Sequence, residues 1–145
     1  MSTEFETDLR ESLAELAATR AELRTIVEPL GDGDLERARR GEWTVATVLS
    51  HLAGTDYAWV RMASLLRDRE APERRQVAEP ASVAAALEAL DASRAAFLAV
   101  IEGVDEETFY DLRKIEGFQE ASVVSSIRDL NGHEHEHLGQ LRATL

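Results

Sequence analysis

The residues of this chain best suited to metal chemistry are its four histidines. His133, His135 and His137 lie in one short run near the C-terminus, and His51 lies far earlier in the chain. His133 and His137 are four residues apart, so on a helix their imidazoles project from the same side, with Cβ atoms about 6 Å apart. This spacing allows one helix to offer two nitrogen ligands to a metal ion. If His51 lies on a neighbouring helix, three imidazoles can meet on one ion.

A histidine pair at this spacing also occurs on the solvent-exposed edge of a helix without binding a metal, and the spacing alone leaves both alternatives open. His135 would point roughly 160–200° away from its two neighbours on a helix, so it is expected to take no part. All three histidines would share a face if the segment were a strand. The helical spacing of the flanking apolar residues argues against a strand.

The elements that must position these histidines are helices. Apolar residues recur at spacings of three, four and seven over residues 6–30, 45–66, 83–101 and 123–145, which predicts four amphipathic helices. Thr44, Ser82 and Ser122 are the predicted N-caps of the second, third and fourth helices. Trp43, just before the second helix, is expected to pack on its first turn as a hydrophobic staple.

The segments between these helices are polar and carry the helix-ending residues. Residues 67–80 contain two prolines and predict an exposed connection that crosses one end of the bundle. Residues 105–119 predict a second connection with one short helical turn, and no strand-like alternation extends beyond a few residues. We therefore predict an all-α fold, a four-helix bundle with a long connection between helices two and three.

Size and charge narrow the classes of function. A chain of 145 residues is expected to form a single domain, residues 1–145, that buries roughly 70% of its unfolded surface. The net charge of −12 argues against binding to nucleic acid or to an anionic membrane surface. The absence of cysteine excludes disulfides and thiolate ligands from the chain itself. With no signal-peptide or membrane-span pattern, a cytoplasmic location is expected.

Four charged residues fall on the apolar faces of the predicted helices, one on each. Unpaired charges in a core cost several kcal/mol each, so these groups should pair, lose their charge or reach a wet pocket. The alternative is that both arginines extend along the surface with their heads in water. These residues are Arg20, Asp56, Arg94 and Glu134.

We expect them to form a polar layer beside the metal, in which Glu134 or Asp56 accepts a hydrogen bond from a ligand imidazole or from an arginine. Glu134 and Asp56 are accordingly the candidate catalytic residues, and Arg20 and Arg94 the candidate cofactor-binding residues. Glu134 is the most natural general base, although a purely structural ion pair is equally consistent with its position.

Two motifs together resemble a known family. Trp43-Thr44-Val45 followed by His51-Leu52-Ala53, with His133-x3-His137-x2-Gln140-Leu141 near the C-terminus, is similar to the DinB/YfiT-like superfamily. The resemblance implies a four-helix bundle in which one histidine of helix two and two of helix four bind a divalent metal, zinc or nickel. Carried over by position, the ligands are His51, His133 and His137. Homodimers are common in the family, and a homodimer is a further expectation.

The resemblance also implies the kinds of activity to consider. Some members are thiol-dependent transferases or isomerases that use mycothiol or bacillithiol, and others are metal-dependent hydrolases. Since this chain has no cysteine, sulfur chemistry would require an external low-molecular-weight thiol as cofactor. We expect a metal-dependent enzyme acting on a small molecule, with thiol-dependent transfer ahead of hydrolysis. The alternative is a non-catalytic bundle that binds a small ligand or serves in a stress response.

Overall fold

A computed structural model describes residues 3–145. Four long helices make up most of it: α1 (Glu4–Val27), α2 (Val45–Leu66), α3 (Val83–Ile101) and α5 (Val123–Thr144). The connections contain a short 3-10 helix (Asp32–Glu36), helix α4 (Glu106–Tyr110) and two strands, β1 (Arg113–Lys114) and β2 (Glu120–Ala121). The predicted four-helix bundle is confirmed.

Each long helix begins at a side-chain cap, and the caps of α2, α3 and α5 are those predicted from the sequence. Thr44, Ser82 and Ser122 each accept a hydrogen bond from the backbone N–H three residues further on. Thr3 does the same for α1, and the carboxylate of Glu6 accepts in return from the Thr3 N–H. Such a cap contributes about 1 kcal/mol to the stability of a helix.

The two ends of the hydrophobic core give the direction of each helix. At one end Val45 and Val83, the first residues of α2 and α3, lie in the same cluster as Leu141 near the end of α5. At the other end Leu66 and Ile101, the last residues of α2 and α3, share a cluster with the start of α5. Helices α2 and α3 therefore run parallel, with α1 and α5 in the opposite direction.

This arrangement corrects the predicted course of the long connection. A connection between parallel helices must return along the whole bundle, and residues 67–82 do so instead of crossing one end. The 22 residues of α2 span about 33 Å, which a 16-residue extended segment covers with length to spare. The periodicity of each helix carries no information about the direction of its neighbour, so the sequence could not show this.

The second connection contains the predicted helical turn and also two short strands that were not predicted. The expected helical turn is α4, whose Phe109 is buried in the core. Strands β1 and β2 form an antiparallel ladder in which Arg113 pairs with Ala121 and Lys114 with Glu120. A two-residue strand is too short to show alternation in a sequence.

Helix α5 continues without a break through Asn131 and Gly132, although a glycine inside a helix costs about 1 kcal/mol relative to alanine. The Thr19 hydroxyl of α1 donates to the side-chain oxygen of Asn131, so packing against α1 supports the helix there. Within residues 3–145, no helix combines the length and apolar character needed to cross a membrane.

Candidate metal centre

The three predicted ligand histidines meet at the groove between α2 and α5. The Nε2 atom of His133 lies 3.0 Å from Nε2 of His51 and 3.2 Å from Nε2 of His137. One nitrogen from each ring lies within 4.8 Å of the other two. His133 and His137 face the same side of α5 because they are one helical turn apart. His51 reaches them from the neighbouring helix α2.

The surroundings favour the neutral form of two imidazoles in this cluster, those of His51 and His133. Desolvation and the neighbouring charges of His133 and His137 lower the pKa of His51. Desolvation and His137 also lower the pKa of His133, against a smaller opposing effect of Glu136, Glu134 and Asp56. Neutral imidazole is the form that binds a metal ion.

The donor set fits a divalent cation. Zinc–nitrogen bonds of about 2.0–2.1 Å in a tetrahedral shell place neighbouring nitrogens about 3.3–3.4 Å apart, close to the two short separations here. Hydrogen bonding alone cannot satisfy the three rings equally, because the single Nε2 of His133 faces two other nitrogens. A cation would accept all three lone pairs at once. His51, His133 and His137 are the residues that would hold it.

One ligand candidate is oriented by a partner outside the cluster. His137 Nδ1 lies 2.8 Å from the side-chain oxygen of Gln140, one turn further along α5. Because an amide oxygen only accepts, Nδ1 carries the hydrogen and Nε2 presents its lone pair to the cluster. Gln140 was quoted in the family motif, but its contact with His137 was not foreseen.

The expected hydrogen bond from a ligand imidazole to a carboxylate is not present in residues 3–145. His133 Nδ1 is buried and has no hydrogen-bond partner in that part of the chain. Glu134 and Asp56 are used by arginines instead, which was the other alternative considered from the sequence. The polar layer therefore lies next to the histidines without bonding to them.

Trp43 covers one side of the cluster. Its ring stacks on His137 with a 7° interplanar angle and a 6.2 Å centroid separation, and it meets His51 edge-on at 5.0 Å. The side chain is 47% exposed, so it stands at the surface beside the histidines. Its contact with two imidazoles was not predicted.

The four charges predicted on the apolar faces form one buried network. Arg20 donates to both oxygens of Glu134 (3.1 and 2.7 Å) and to Asp56 (3.1 Å). Arg94 donates to Oε1 of Glu134 (2.8 Å), the oxygen that Arg20 contacts at 2.7 Å. It also donates to Oδ1 of Asp56 (3.2 and 3.3 Å), whereas Arg20 contacts Oδ2. Asp56 and Glu134 are essentially inaccessible, and both arginines are buried. Two positive and two negative groups give the network no net charge.

Neighbouring groups complete the network. Arg20 also donates to the backbone carbonyl of Leu90 (2.8 Å), and the Ser93 hydroxyl donates to Asp56 (2.6 Å). Burial alone would lower the pKa of Arg20, but the hydrogen bonds and charges of Glu134 and Asp56 outweigh it and raise that pKa above its ordinary value. Both arginines reach partners in the core, and neither extends to water.

These positions bear on the roles expected for the four residues. Every carboxylate oxygen of Asp56 and Glu134 already accepts from a guanidinium, and Arg20 and Arg94 direct their donors inward. The geometry favours a structural role for the network, which holds all four long helices in register beside the histidines.

His135 lies away from the cluster, as expected for a helix. Its Nε2 is 3.0 Å from the Thr19 hydroxyl on α1, which also bonds Asn131. His135 is exposed and contacts none of the three clustered rings among the described contacts of residues 3–145.

A pocket of about 770 Å³ opens beside His51 along the outer side of α2. Its other walls come from the long connection and from the turn between β1 and β2. The lining residues are Trp43, Thr47, Ser50, His51, Gly54, Thr55, Ala58, Arg61, Arg74, Arg75, Gln76, Val77, Gly117 and Phe118. This pocket could not be predicted from the sequence, since it depends on the return path of residues 67–82.

Comparison with known proteins assigns the chain to a family. A family model described as the DinB superfamily matches residues 15–141, which include the clustered histidines and the buried charges. The chain belongs to the DinB superfamily. This confirms the resemblance suggested by the Trp43-Thr44 and His133-x3-His137 motifs.

A solved structure supports the same fold for this DinB superfamily member. The chain is similar to the crystal structure of TT2238, a four-helix bundle protein, with 25% sequence identity and a TM-score of 0.72. The match covers 94% of this chain and 98% of that one. No curated protein matches the sequence.

Proposed function

We propose that this DinB superfamily protein is a metal-dependent enzyme that acts on a small molecule and holds a divalent zinc or nickel ion at His51, His133 and His137. The observation that carries the proposal is the convergence of three imidazole Nε2 atoms at one point, with His137 oriented by Gln140. When bound, an ion with three imidazole ligands keeps a position open for a Lewis-acid interaction with a thiol, water or carbonyl group.

Thiol-dependent transfer is the reaction class we place first, with a low-molecular-weight thiol such as mycothiol or bacillithiol as co-substrate. Hydrolysis by general-base catalysis needs an available base at the site. Glu134 and Asp56, the candidates for that role, are bonded to arginines and buried. The chain has no cysteine, so the sulfur must come from outside, and the pocket beside His51 offers space for it.

Each residue around the cluster has its own role in this proposal. His51, His133 and His137 hold the ion, and Gln140 fixes the tautomer of His137. Trp43 shields one side of the cluster from water, since its ring lies flat against His137. The arginine–carboxylate network keeps α2 and α5 in register, so that His51 meets the α5 pair.

Metal binding is the first test. Purified protein, stripped with a chelator, is titrated with Zn²⁺ and Ni²⁺ in a calorimeter. We expect one ion per chain and an affinity at least about 100-fold lower in His51→Ala and His137→Ala, because a lost ligand costs more than a lost outer partner. His135→Ala is the matched control and should bind as the wild type does. Absence of tight binding in the wild type would overturn the proposal.

Thiol dependence is the second test. Calorimetric titration of mycothiol and bacillithiol into the zinc-loaded protein should give binding that His51→Ala abolishes. Equal binding by the wild type and His51→Ala would contradict a role for the histidine cluster in holding the thiol.

A further inference from the structure

The pocket beside His51 has an unusual charge for this protein. Three of its lining residues are arginines, one on α2 and two on the long connection: Arg61, Arg74 and Arg75. No aspartate or glutamate belongs to the lining found within residues 3–145. The whole chain carries 28 acidic and only 16 basic residues, so a wall with three positive groups and no negative one runs against the composition.

These arginines are available to a ligand. Among residues 3–145, none of the three forms a salt bridge, although Arg20, Arg24, Arg94 and Arg113 all do. The guanidinium carbon of Arg75 lies 4.8 Å from the centroid of the Tyr57 ring, beside a second, smaller pocket that both side chains line. The carboxylate of Glu79 is near the rim, where it accepts from the Thr47 hydroxyl, and it does not pair with the arginines.

Of the three clustered histidines, His51 lines the pocket, which runs from there to these charges. His51, Gly54, Ala58 and Arg61 follow one another along the same side of α2, at spacings of three and four residues. Ten residues separate the first from the last, a rise of about 15 Å along the helix. A long arginine side chain shortens that gap, so one small organic molecule can reach both ends.

Gly54 leaves space at the middle of this path. A glycine inside a helix is less stable than alanine, and here no neighbour requires it, because an added Cβ would meet nothing within 4 Å. The missing side chain deepens the pocket between His51 and Arg61.

We propose that this pocket binds a small organic molecule with an anionic group, a carboxylate, phosphate or sulfate, on Arg61, Arg74 and Arg75. The opposite end of that molecule lies at the histidine cluster. Arginine forks match the geometry of such oxyanions. The hydroxyls of Ser50 and Thr55 donate to backbone carbonyls of α2, so each can accept a hydrogen bond from a neutral part of the molecule. The inference deepens the proposed function by naming the substrate class and rests on it.

The test uses 4-phenylbutyrate and its neutral amide, 4-phenylbutyramide, which differ only at the polar end. Binding of each to zinc-loaded protein is followed by NMR shifts of the Trp43 indole and of backbone amides on α2. We expect the carboxylate to bind at least about tenfold more tightly than the amide, and rising salt to reduce this difference. Equal binding of the two probes would overturn the inference.

Charge variants locate the site. Arg61→Gln and the double variant Arg74→Gln/Arg75→Gln should each lower carboxylate affinity at least about tenfold and leave amide binding unchanged. Arg128→Gln, at an exposed position on α5, removes the same charge elsewhere and should have no effect. Circular dichroism confirms that the variants are folded. Equal losses in Arg128→Gln and the pocket variants would show a non-specific charge effect and overturn the inference.

His51→Ala separates this inference from the metal proposal. If the arginines hold the anionic group, the variant loses zinc but keeps its preference for the carboxylate over the amide. If the preference vanishes with the metal while the arginine variants retain it, the carboxylate binds the ion and the inference fails, although the metal site stands. If zinc does not bind and the carboxylate preference persists, the metal proposal fails and the arginine site stands.

Discussion

At the scale of single residues, Glu134 is one of two buried carboxylates that both core arginines share. One of its oxygens accepts from both Arg20 and Arg94, so it is the shared partner of two buried guanidiniums. Removing one member of a buried ion pair leaves an uncompensated charge, whereas an exposed pair contributes little.

Glu134→Ala should therefore lower the free energy of unfolding by about 3–5 kcal/mol, measured by urea denaturation monitored by circular dichroism. The control is Glu22→Ala, which removes a carboxylate from an exposed pair with Arg142 and should cost less than about 1 kcal/mol. Similar losses in both variants would show that the network does not stabilise the core.

The lowered pKa values of His51 and His133 give the metal-free protein a pH dependence. In the unfolded chain each of these two histidines has a pKa of about 6.5, which is higher than its pKa in the folded protein. The two histidines therefore make their full contribution to stability above that pH, and the contribution is lost as the pH falls through the lowered pKa values.

With a chelator present, the midpoint of thermal unfolding should therefore fall as the pH drops below about 6.5. A His51→Ala/His133→Ala variant should show a shallower fall over the same range, and His135→Ala should retain the wild-type slope. Parallel curves for the wild type and the double variant would contradict this assignment.

At the scale of elements, the starts of the helices could be predicted from neighbouring residues, but the packing of the helices against one another could not. Thr44, Ser82 and Ser122 mark helix starts because a cap depends on a few neighbouring residues. The parallel course of α2 and α3 depends on which faces pack together, and periodicity does not contain that. The arginine wall needs Arg61 of α2 to meet Arg74 and Arg75 of the connection, which no local pattern indicates.

The candidate site shows the same difference. His133 and His137 could be paired from their spacing on one helix, while His51 joined them through the family motif. Trp43 was noticed for its place before a helix, but its ring lies on imidazoles that are distant in sequence. A side-chain contact between separate helices requires their relative position, which only the folded chain supplies.

Two glycines should respond oppositely to alanine. Gly54 lies inside α2 with open space at its Cβ position, so Gly54→Ala should raise the free energy of unfolding by about 0.5–1 kcal/mol. Gly41 has a φ of +78°, so Gly41→Ala should lower it, by about 1 kcal/mol. Urea denaturation measures both, and a loss of stability in Gly54→Ala would show that this position is packed.

At the scale of the whole molecule, the histidine cluster joins α2 to α5 across a groove. An ion that binds only the folded chain stabilises it by about 2.7 kcal/mol when its free concentration is 100 times its Kd. Zinc should therefore raise the midpoint of thermal unfolding of the wild type and of His135→Ala. It should not raise that of His137→Ala, and an equal rise there would place the ion elsewhere.

The pocket residues of the long connection, residues 67–82, are distinct from the residues that stabilise the fold. Residues 73–76 are exposed, and three of them line the pocket, whereas the histidines and the charge network lie on helices that hold the core. Substitutions in this stretch should change which ligand the proposed site accepts at little cost in stability, because no core packing is lost. With the proposed site, variation in one surface segment would give new small-molecule partners while the histidine cluster stays the same.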